Sequence, residues 1–251
     1  MPPSQPAAHF RVLALVAPVL DVRAGLRLRR ARRTMADAEV TEMLRVLRSL
    51  PASVADWSDG NVAFDLVDVE VLDNPVRTLT RSGADRWWVA PADVSGAIGR
   101  FADGCDIDSI ILVHPTDGSV PMCGWGCTIG PSAGAAGAGF SSITSDSWQS
   151  AARGLHPEEG FVHEWLHQVE HFYRGAGLVG HLEFPDLHDV GGRTSTREGE
   201  PPFGRPYVDW ERETGTWQPW YRDLMTGTVG PKDAEQAPVG LTRARWAMRE
   251  R

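Results

Sequence analysis

One short segment of the chain, "HEWLH" at 163–167, combines two histidines with a glutamate. In a helix, residues four apart lie on the same face, so the imidazoles of His163 and His167 can reach one point in space. Neutral imidazole is a good zinc ligand, at about 2.0–2.1 Å. Glu164 follows the first histidine directly, where its carboxylate can take a proton from a water molecule held at the metal. The segment predicts a zinc site at His163 and His167, with Glu164 as general base.

The residues around this segment predict the helix that has to hold it. Pro157 is tolerated in a first helical turn, and the acidic residues after it suit the positive end of the helix dipole. An apolar face follows at helical spacing, made of Val162, Trp165, Leu166, Val169 and Phe172. The alternative is an amphipathic surface helix whose histidines are incidental. The metal site is favoured, because the helical context that the pattern requires is present.

A zinc site that leaves one position for water needs a third protein ligand. The segment "GHLEFPDLHDVGG" at 180–192 contains several side chains able to bind a metal. His188 is the predicted ligand, because it stands on a short turn and Asp189 follows it as a hydrogen-bond partner. His181 and Asp189 remain alternatives.

The His-Glu-x-x-His pattern resembles that of the zincin metallopeptidases. In the metzincin branch a glycine and then a third histidine follow it, but this chain has Glu170 and Tyr173 at those positions. The helix is therefore expected to continue to Arg174, with the third ligand further on. The segment "WYRDLMTGTVG" at 220–230 resembles the methionine turn beneath the zinc of metzincins. Met225 would form a soft apolar floor there, and an ordinary core methionine is the alternative.

This resemblance implies a zinc-dependent hydrolase, most simply a metallopeptidase that cleaves peptide bonds. Tyr221 is a candidate to donate a hydrogen bond to an oxyanion, with a packing tyrosine as the alternative. Two other functions stay open. One is a non-proteolytic zinc enzyme that hydrolyses an amide or ester of a small metabolite. The other is an inactive binding protein stabilised by its metal.

The chain before the histidine helix alternates strand and helix patterns. They are a buried strand at 11–20, a helix at 34–50 that Pro51 ends, a strand at 61–72, a short helix from Pro91, a buried strand at 108–114 and an extended edge at 139–144. Thr34 and Asp37 stand at the spacing of a capping box. The alternation in 61–72 slips between Leu66 and Val67, which indicates a bulge or a bend. The glycine-rich residues before 139 read as a flexible loop.

This order of elements resembles the zincin layout, and the resemblance implies an α+β fold. The expected fold has an N-terminal mixed, twisted sheet with helices, including the active-site helix, and a loop-rich C-terminal lobe. Both lobes, 1–175 and 176–251, would belong to one catalytic domain. The resemblance also implies that the edge at 139–144 binds an extended peptide beside the zinc by strand addition.

Composition limits the partners. The formal charge of -8 argues against a general nucleic-acid binder, which needs basic surface. The apolar run at 11–20 is too short to span a bilayer, so no membrane is expected. Basic residues rather than a cleavage site follow this run, so a cytoplasmic protein is expected, with secretion left open. The arginines from Arg23 to Arg33 read as a solvated loop and helix entry. The sequence does not determine the oligomeric state.

The three cysteines are too few and too irregular for a disulfide framework. Cys123 and Cys127 stand close enough in the chain to pair with each other, and the sequence leaves this open. A buried thiol is the expected state of each cysteine.

Overall fold

In the computed structural model the described residues are 6–24, 29–82, 86–102, 106–122, 124–128, 137–146, 156–178, 187, 216–229 and 240–248. Their strands are β1 (Ala8–Val16), β2 (Val19–Ala24), β3 (Arg29–Thr34), β4 (Val62–Val71), β5 (Thr80–Ser82), β6 (Arg86–Trp88), β7 (Ser109–His114), β8 (Trp125–Thr128) and β9 (Gly139–Thr144). Their helices are α1 (Asp37–Trp57), α2 (Ser95–Ala102), α3 (Glu159–Gly175), α4 (Gln218–Thr226) and α5 (Arg243–Trp246), with a 3-10 turn at Pro91–Val94 before α2.

The main sheet has five strands in the order β4-β1-β7-β9-β8. β1 pairs in parallel with β4 and β7, β7 pairs in parallel with β9, and β8 runs antiparallel to β9. Two hairpins, β2–β3 and β5–β6, stand apart from this sheet. The predicted combination of a mixed sheet with helices is confirmed, and it is compatible with the α+β class.

Strand β1 is buried on both faces from Val12 to Val16, as its continuous apolar run predicts, whereas His9 and Arg11 near its start are exposed. Phe10 and Val12 point to the core under the long helices, whereas Leu13 and Leu15 point to the core on the other side of the sheet. A strand between two neighbours and two cores has no face for polar side chains. The predicted strand at 11–20 stops at Val16, because Pro18 cannot donate to a strand ladder.

The bulge predicted in the strand at 61–72 is confirmed. Val12 of β1 pairs with Leu66 and Leu13 pairs with Asp68, so Val67 is the extra residue of β4. Its side chain is 43% exposed, unlike the core residues earlier in the strand. The extra residue explains why the alternation of the sequence changes phase at this point.

The predicted end of the first helix at Pro51 is wrong, because α1 continues to Trp57 with Pro51 inside it. Val54 and Trp57 are 0% and 3% exposed and extend the apolar stripe of the helix. Each buried apolar side chain contributes about 1.5–3 kcal/mol, which offsets the cost of about 3 kcal/mol for an interior proline. The predicted cap is also wrong, since Ala36 is the N-cap and makes no side-chain hydrogen bond.

The sequence predicted that the segment 139–144 is an extended edge of the sheet. The segment is extended, but it is not at the edge. It forms β9, which pairs with β7 on one side and with β8 on the other. The edge is β8, which lies in the glycine-rich stretch that was expected to be a flexible loop. Glycine lowers strand propensity, so propensity and periodicity did not predict β8.

The arginine-rich segment at 23–33 is also more regular than expected, because its described residues belong to the β2–β3 hairpin. Asp21 of β2 accepts two hydrogen bonds from the guanidinium of Arg30 on β3, at 2.8 and 3.0 Å. Arg77 adds an ion pair to the same carboxylate. These pairs hold the pKa of Asp21 at about 2, the Arg30 hydrogen bond being the largest cause. Charge pairing across the hairpin supports β3, whose sequence RRARRT has little apolar content.

The helices α1, α3, α4 and α5 share one core against one face of the main sheet, while α2 and both hairpins cover the other face. α4 and α5 belong to the C-terminal segment that was expected to form a loop-rich lobe, and their described residues pack directly against α1 and α3. The lobe boundaries stay a prediction, since most of 176–251 lies outside the described residues. None of the described helices is long and apolar enough to cross a membrane.

Candidate metal centre

Helix α3 carries the two histidines and packs across β8 and β9. Its apolar side chains enter the core on one side, and these are Phe161, Val162, Trp165, Leu166 and Val169. Their burial fixes the rotation of the helix about its axis, and it leaves His163 and His167 partly buried on the neighbouring stripe. The predicted helix is confirmed, including its continuation through Arg174.

The two imidazoles converge on one point. The Nε2 atoms of His163 and His167 are 3.2 Å apart, and the rings meet at 88° with their centroids 4.7 Å apart. Two nitrogen ligands at about 2.0–2.1 Å from a tetrahedral zinc ion lie about 3.3 Å from each other. The pair therefore has the separation that a zinc ion requires of two of its ligands.

The other nitrogen of each ring is held by a neighbouring side chain. His163 Nδ1 lies 3.1 Å from the hydroxyl of Tyr221, and His167 Nδ1 lies 3.4 Å from Oε2 of Glu170. Glu170 in turn forms an ion pair with Arg174. Histidines that bind metals nearly always engage their second nitrogen in this way, which fixes the ring and its tautomer. Both rings are thus oriented with Nε2 toward the shared point.

Glu164 lies beside the histidines with its carboxyl group turned into the protein. Its Oε2 atom is buried and has no hydrogen-bond partner among the described residues. Burial raises the pKa of Glu164 to about 7, with His167 acting in the opposite direction. A group that titrates near neutral pH can both take and return a proton, which is what a general base and acid has to do.

Three glycines let α3 approach the sheet closely. A Cβ on Gly126 would lie 2.6 Å from Cβ of His167, and one on Gly124 would lie 3.0 Å from the carboxyl carbon of Glu164. A Cβ on Gly139 would lie 2.8 Å from Cβ of Gln168. A side chain at Gly126 would also collide with the backbone oxygen of Glu164, at 2.7 Å, so this glycine lets α3 lie directly on β8. Gly124, just before β8, and Gly126 within it are the signal that sequence reasoning missed.

A cavity of about 150 Å³ opens next to His163 and Glu164. The other residues around it are Gly124, Ile143, Glu159, Gly160, Trp217 and Tyr221. It lies between α3, α4 and the start of β8, so any molecule inside it would be in reach of the histidine that is a candidate ligand. Its walls combine aromatic and acidic groups.

The third ligand is not placed. His188, and the alternatives His181 and Asp189, lie outside the described residues. Within the described residues, no group of three histidine, cysteine, aspartate or glutamate side chains is arranged to hold a metal. The assignment of His188 stays a prediction, and the fit to zinc rests on the two histidines of α3.

The remaining sequence-based candidates have mixed outcomes. Tyr221 is buried at 1% exposure, and its hydroxyl contacts His163 as described above. Met225 is also buried, but the predicted methionine turn is wrong, because Met225 lies in the last turn of α4 and the chain turns only at Gly227, where φ is 71°. Burial raises the pKa of the Cys127 thiol to about 11, and its pairing with Cys123 lies outside the described residues.

Comparisons of the chain with known protein families, with curated proteins and with solved structures returned no match. Support for a function therefore comes from the geometry of α3 and the elements packed against it.

Proposed function

We propose that the protein is a zinc-dependent hydrolase, most simply a metallopeptidase. The observation that carries the proposal is the convergence of the Nε2 atoms of His163 and His167, 3.2 Å apart, beside the buried carboxyl group of Glu164. The pattern that these residues share with the zincin metallopeptidases points to the same chemistry.

Each residue of the site has a separate role in this proposal. A zinc ion held by His163 and His167, with His188 as the predicted third ligand, would polarise the scissile carbonyl group and stabilise negative charge on its oxygen. Glu164 takes a proton from the attacking water and returns it to the leaving nitrogen. Its burial supports this role, because a carboxyl group with a pKa of about 7 exchanges protons readily near neutral pH.

Tyr221 orients His163 in this proposal. A histidine that binds metal through Nε2 carries its proton on Nδ1, and Nδ1 of His163 lies 3.1 Å from the tyrosine hydroxyl, whose oxygen can accept a hydrogen bond from it. The buried position of Tyr221 favours this role over direct contact with an oxyanion.

Replacing Tyr221 with phenylalanine is expected to weaken zinc binding by about 10–100-fold, because loss of such a supporting hydrogen bond typically costs that much. Competition with a chromogenic chelator would measure the affinity. Tyr173→Phe is the matched control, since its hydroxyl donates to the backbone oxygen of Trp246 at 3.0 Å, away from the histidine rings. Equal zinc affinity in the two variants would contradict the orienting role.

The substrate is proposed to be an extended peptide that adds to the edge of β8. Within the described part of the chain, β8 pairs only with β9, so its other edge is open to a further strand. The strand begins next to Gly124, which lies directly against the carboxyl group of Glu164. A peptide bound there by main-chain hydrogen bonds would pass beside the base. The open edge thus replaces 139–144 as the proposed peptide site.

A small amide or ester is the second candidate substrate. The observation that favours it is the volume of the cavity beside His163, about 150 Å³, which suits one small group. A peptide library that stays uncut by the zinc-loaded protein, together with turnover of simple amides or esters, would support this candidate. Cleavage of the library with a defined residue preference would support the metallopeptidase.

Elemental analysis tests the metal site itself. The wild-type protein is expected to contain about one zinc per chain, and a His163→Ala, His167→Ala double variant is expected to contain none, because zinc needs these nitrogens as ligands. His171→Ala is the matched control, since His171 lies on the exposed side of the same helix. Absence of metal from the wild type, with equal stability of all three proteins, would overturn the proposal.

A further inference from the structure

The cavity beside the candidate metal centre contains a second buried carboxyl group, that of Glu159. Glu159 lies one helical turn before His163, on the stripe that also carries His167. It is 1% exposed, and it borders the same cavity as His163 and Glu164. Glu159 takes no part in the proposed hydrolysis, so the presence of its carboxyl group in the cavity needs another explanation.

Only one oxygen of Glu159 is explained by the fold. Oε1 accepts a hydrogen bond from the hydroxyl of Thr216. It accepts another, at 2.7 Å, from the backbone N–H of Gln218. Through Gln218 it satisfies the first turn of α4, which has no side-chain cap of its own. Oε2 is buried and has no hydrogen-bond partner among the described residues. A buried acceptor without a donor is unfavourable, and a ligand that brings a donor would relieve it.

The other walls of the cavity suit a positive charge. Trp217 and Tyr221 contribute aromatic rings, Ile143 contributes an apolar wall, and Glu164 adds a second carboxyl group. Aromatic faces and a carboxylate together are the surroundings that bind ammonium and guanidinium groups. The volume of about 150 Å³ fits a group the size of one side chain, whereas sites for larger organic ligands span about 300–1,000 Å³.

We infer that Glu159 makes the substrate site selective for a cationic group, an ammonium or guanidinium placed next to the scissile bond. This inference rests on the proposed hydrolase function for its biological meaning, but the binding preference exists without turnover. The group can come from a lysine or arginine side chain or from a free amino terminus, since all three present N–H donors and a positive charge.

Binding of small probes tests the inference without reference to activity. The probes are n-butylguanidine and its neutral analogue n-butylurea, measured by calorimetry on the full-length protein. The wild type is expected to bind the guanidine about tenfold more tightly than the urea, because only the cation gains a charge-assisted hydrogen bond. In Glu159→Gln the ratio is expected to fall to about one, since the amide keeps an acceptor for Gln218 but carries no charge.

Two further variants separate selectivity from structure. Thr216→Val removes a hydrogen bond to Oε1 and leaves the charge in place, so it is expected to keep the preference for the guanidine. Glu164→Gln is expected to keep it as well. The inference would be overturned if Glu164→Gln lost the preference and Glu159→Gln kept it, because Glu164 would then be the carboxyl group that binds the cation.

Peptide cleavage distinguishes this inference from the proposed function. Peptides with lysine, arginine or neutral residues next to the cleaved bond are compared, each with a free and an acetylated amino terminus. A preference for the basic side chains, or for the free terminus, that disappears in Glu159→Gln would support the inference and identify the source of the cation. Cleavage without such a preference, with equal binding of both probes, would overturn the inference and leave the hydrolase standing. Selective binding of the guanidine without any cleavage of peptides, simple amides or esters would support the inference and contradict the proposed function.

Discussion

A Glu164→Gln variant is expected to keep its zinc and to lose turnover by about 10²–10⁴-fold, which is the usual contribution of a general acid-base group. The amide is the same size as the carboxyl group and adds no bulk toward Gly124, so the helix and both histidines can stay in place. It cannot take a proton from water, however, and the step that needs a base would have to proceed without one. A large loss of rate with no loss of metal is therefore the signature of Glu164 as the base.

Turnover on the best substrate and zinc content per chain would be measured on the same preparation. Glu158→Gln is the matched control, because it makes the same chemical change at the neighbouring turn, where Glu158 accepts a hydrogen bond from Ser49 at 2.8 Å. The control is expected to keep wild-type turnover. Wild-type turnover in Glu164→Gln would rule out the mechanism.

A Trp165→Ala variant is expected to lose about 3–5 kcal/mol of unfolding free energy, the usual cost of truncating a buried tryptophan. Trp165 stands between the two histidines in sequence and is 0% exposed. Its ring meets Phe10 and Phe64 edge to face, with centroids 5.1 and 5.4 Å away, and it stacks on Trp246 at 6.3 Å. Truncation would open a cavity where β1, β4, α3 and α5 meet.

Urea unfolding followed by far-ultraviolet circular dichroism would measure this loss without relying on the removed fluorophore. His171→Ala again serves as control, and it is expected to change the unfolding free energy by less than about 0.5 kcal/mol, as exposed substitutions usually do. A loss of less than about 1 kcal/mol in Trp165→Ala would contradict the packing described here, because a truncated core aromatic normally costs several times more.

The features that the sequence predicted correctly are those that depend on a pattern of residues close together in the chain. The apolar spacing of α3, the run of β-branched residues in β7 and the change of phase at Val67 each depend on residues within one element. Local periodicity reports these directly. The convergence of His163 and His167 belongs to the same class, because a spacing of four on one helix is sufficient to bring the rings together.

The predictions that were wrong depend on partners far away in the chain. Pro51 does not end α1, because the stripe beyond it reaches Val54 and Trp57 in the core. The segment 139–144 is not an edge, because β8 forms from a stretch whose glycines suit close packing under α3. The contacts of Tyr221 with His163, and of Thr216 with Glu159, join residues 58 and 57 positions apart. No local pattern records such pairs.

The order of strands in the sheet has a consequence for how the candidate metal centre forms during folding. β1 precedes both of its partners in the chain, since Ala8 pairs with Val62 and Val12 pairs with Ser109. Parallel pairs cannot close through a tight turn, so long loops must close before their contacts stabilise the chain. β9 joins the sheet through β7, and β8 joins only through β9.

The surface under α3 thus depends on a series of strand pairings, because β8 is held in the sheet by β9 and β9 by β7. The histidines can meet on an isolated helical turn, whereas the burial of Glu164 requires β8 to be in place. A chain that is only partly folded can bring the two imidazoles together without having a buried base. In this topology Glu164 is buried only in the assembled protein, so a partly folded chain would lack the buried base that the proposed hydrolase requires.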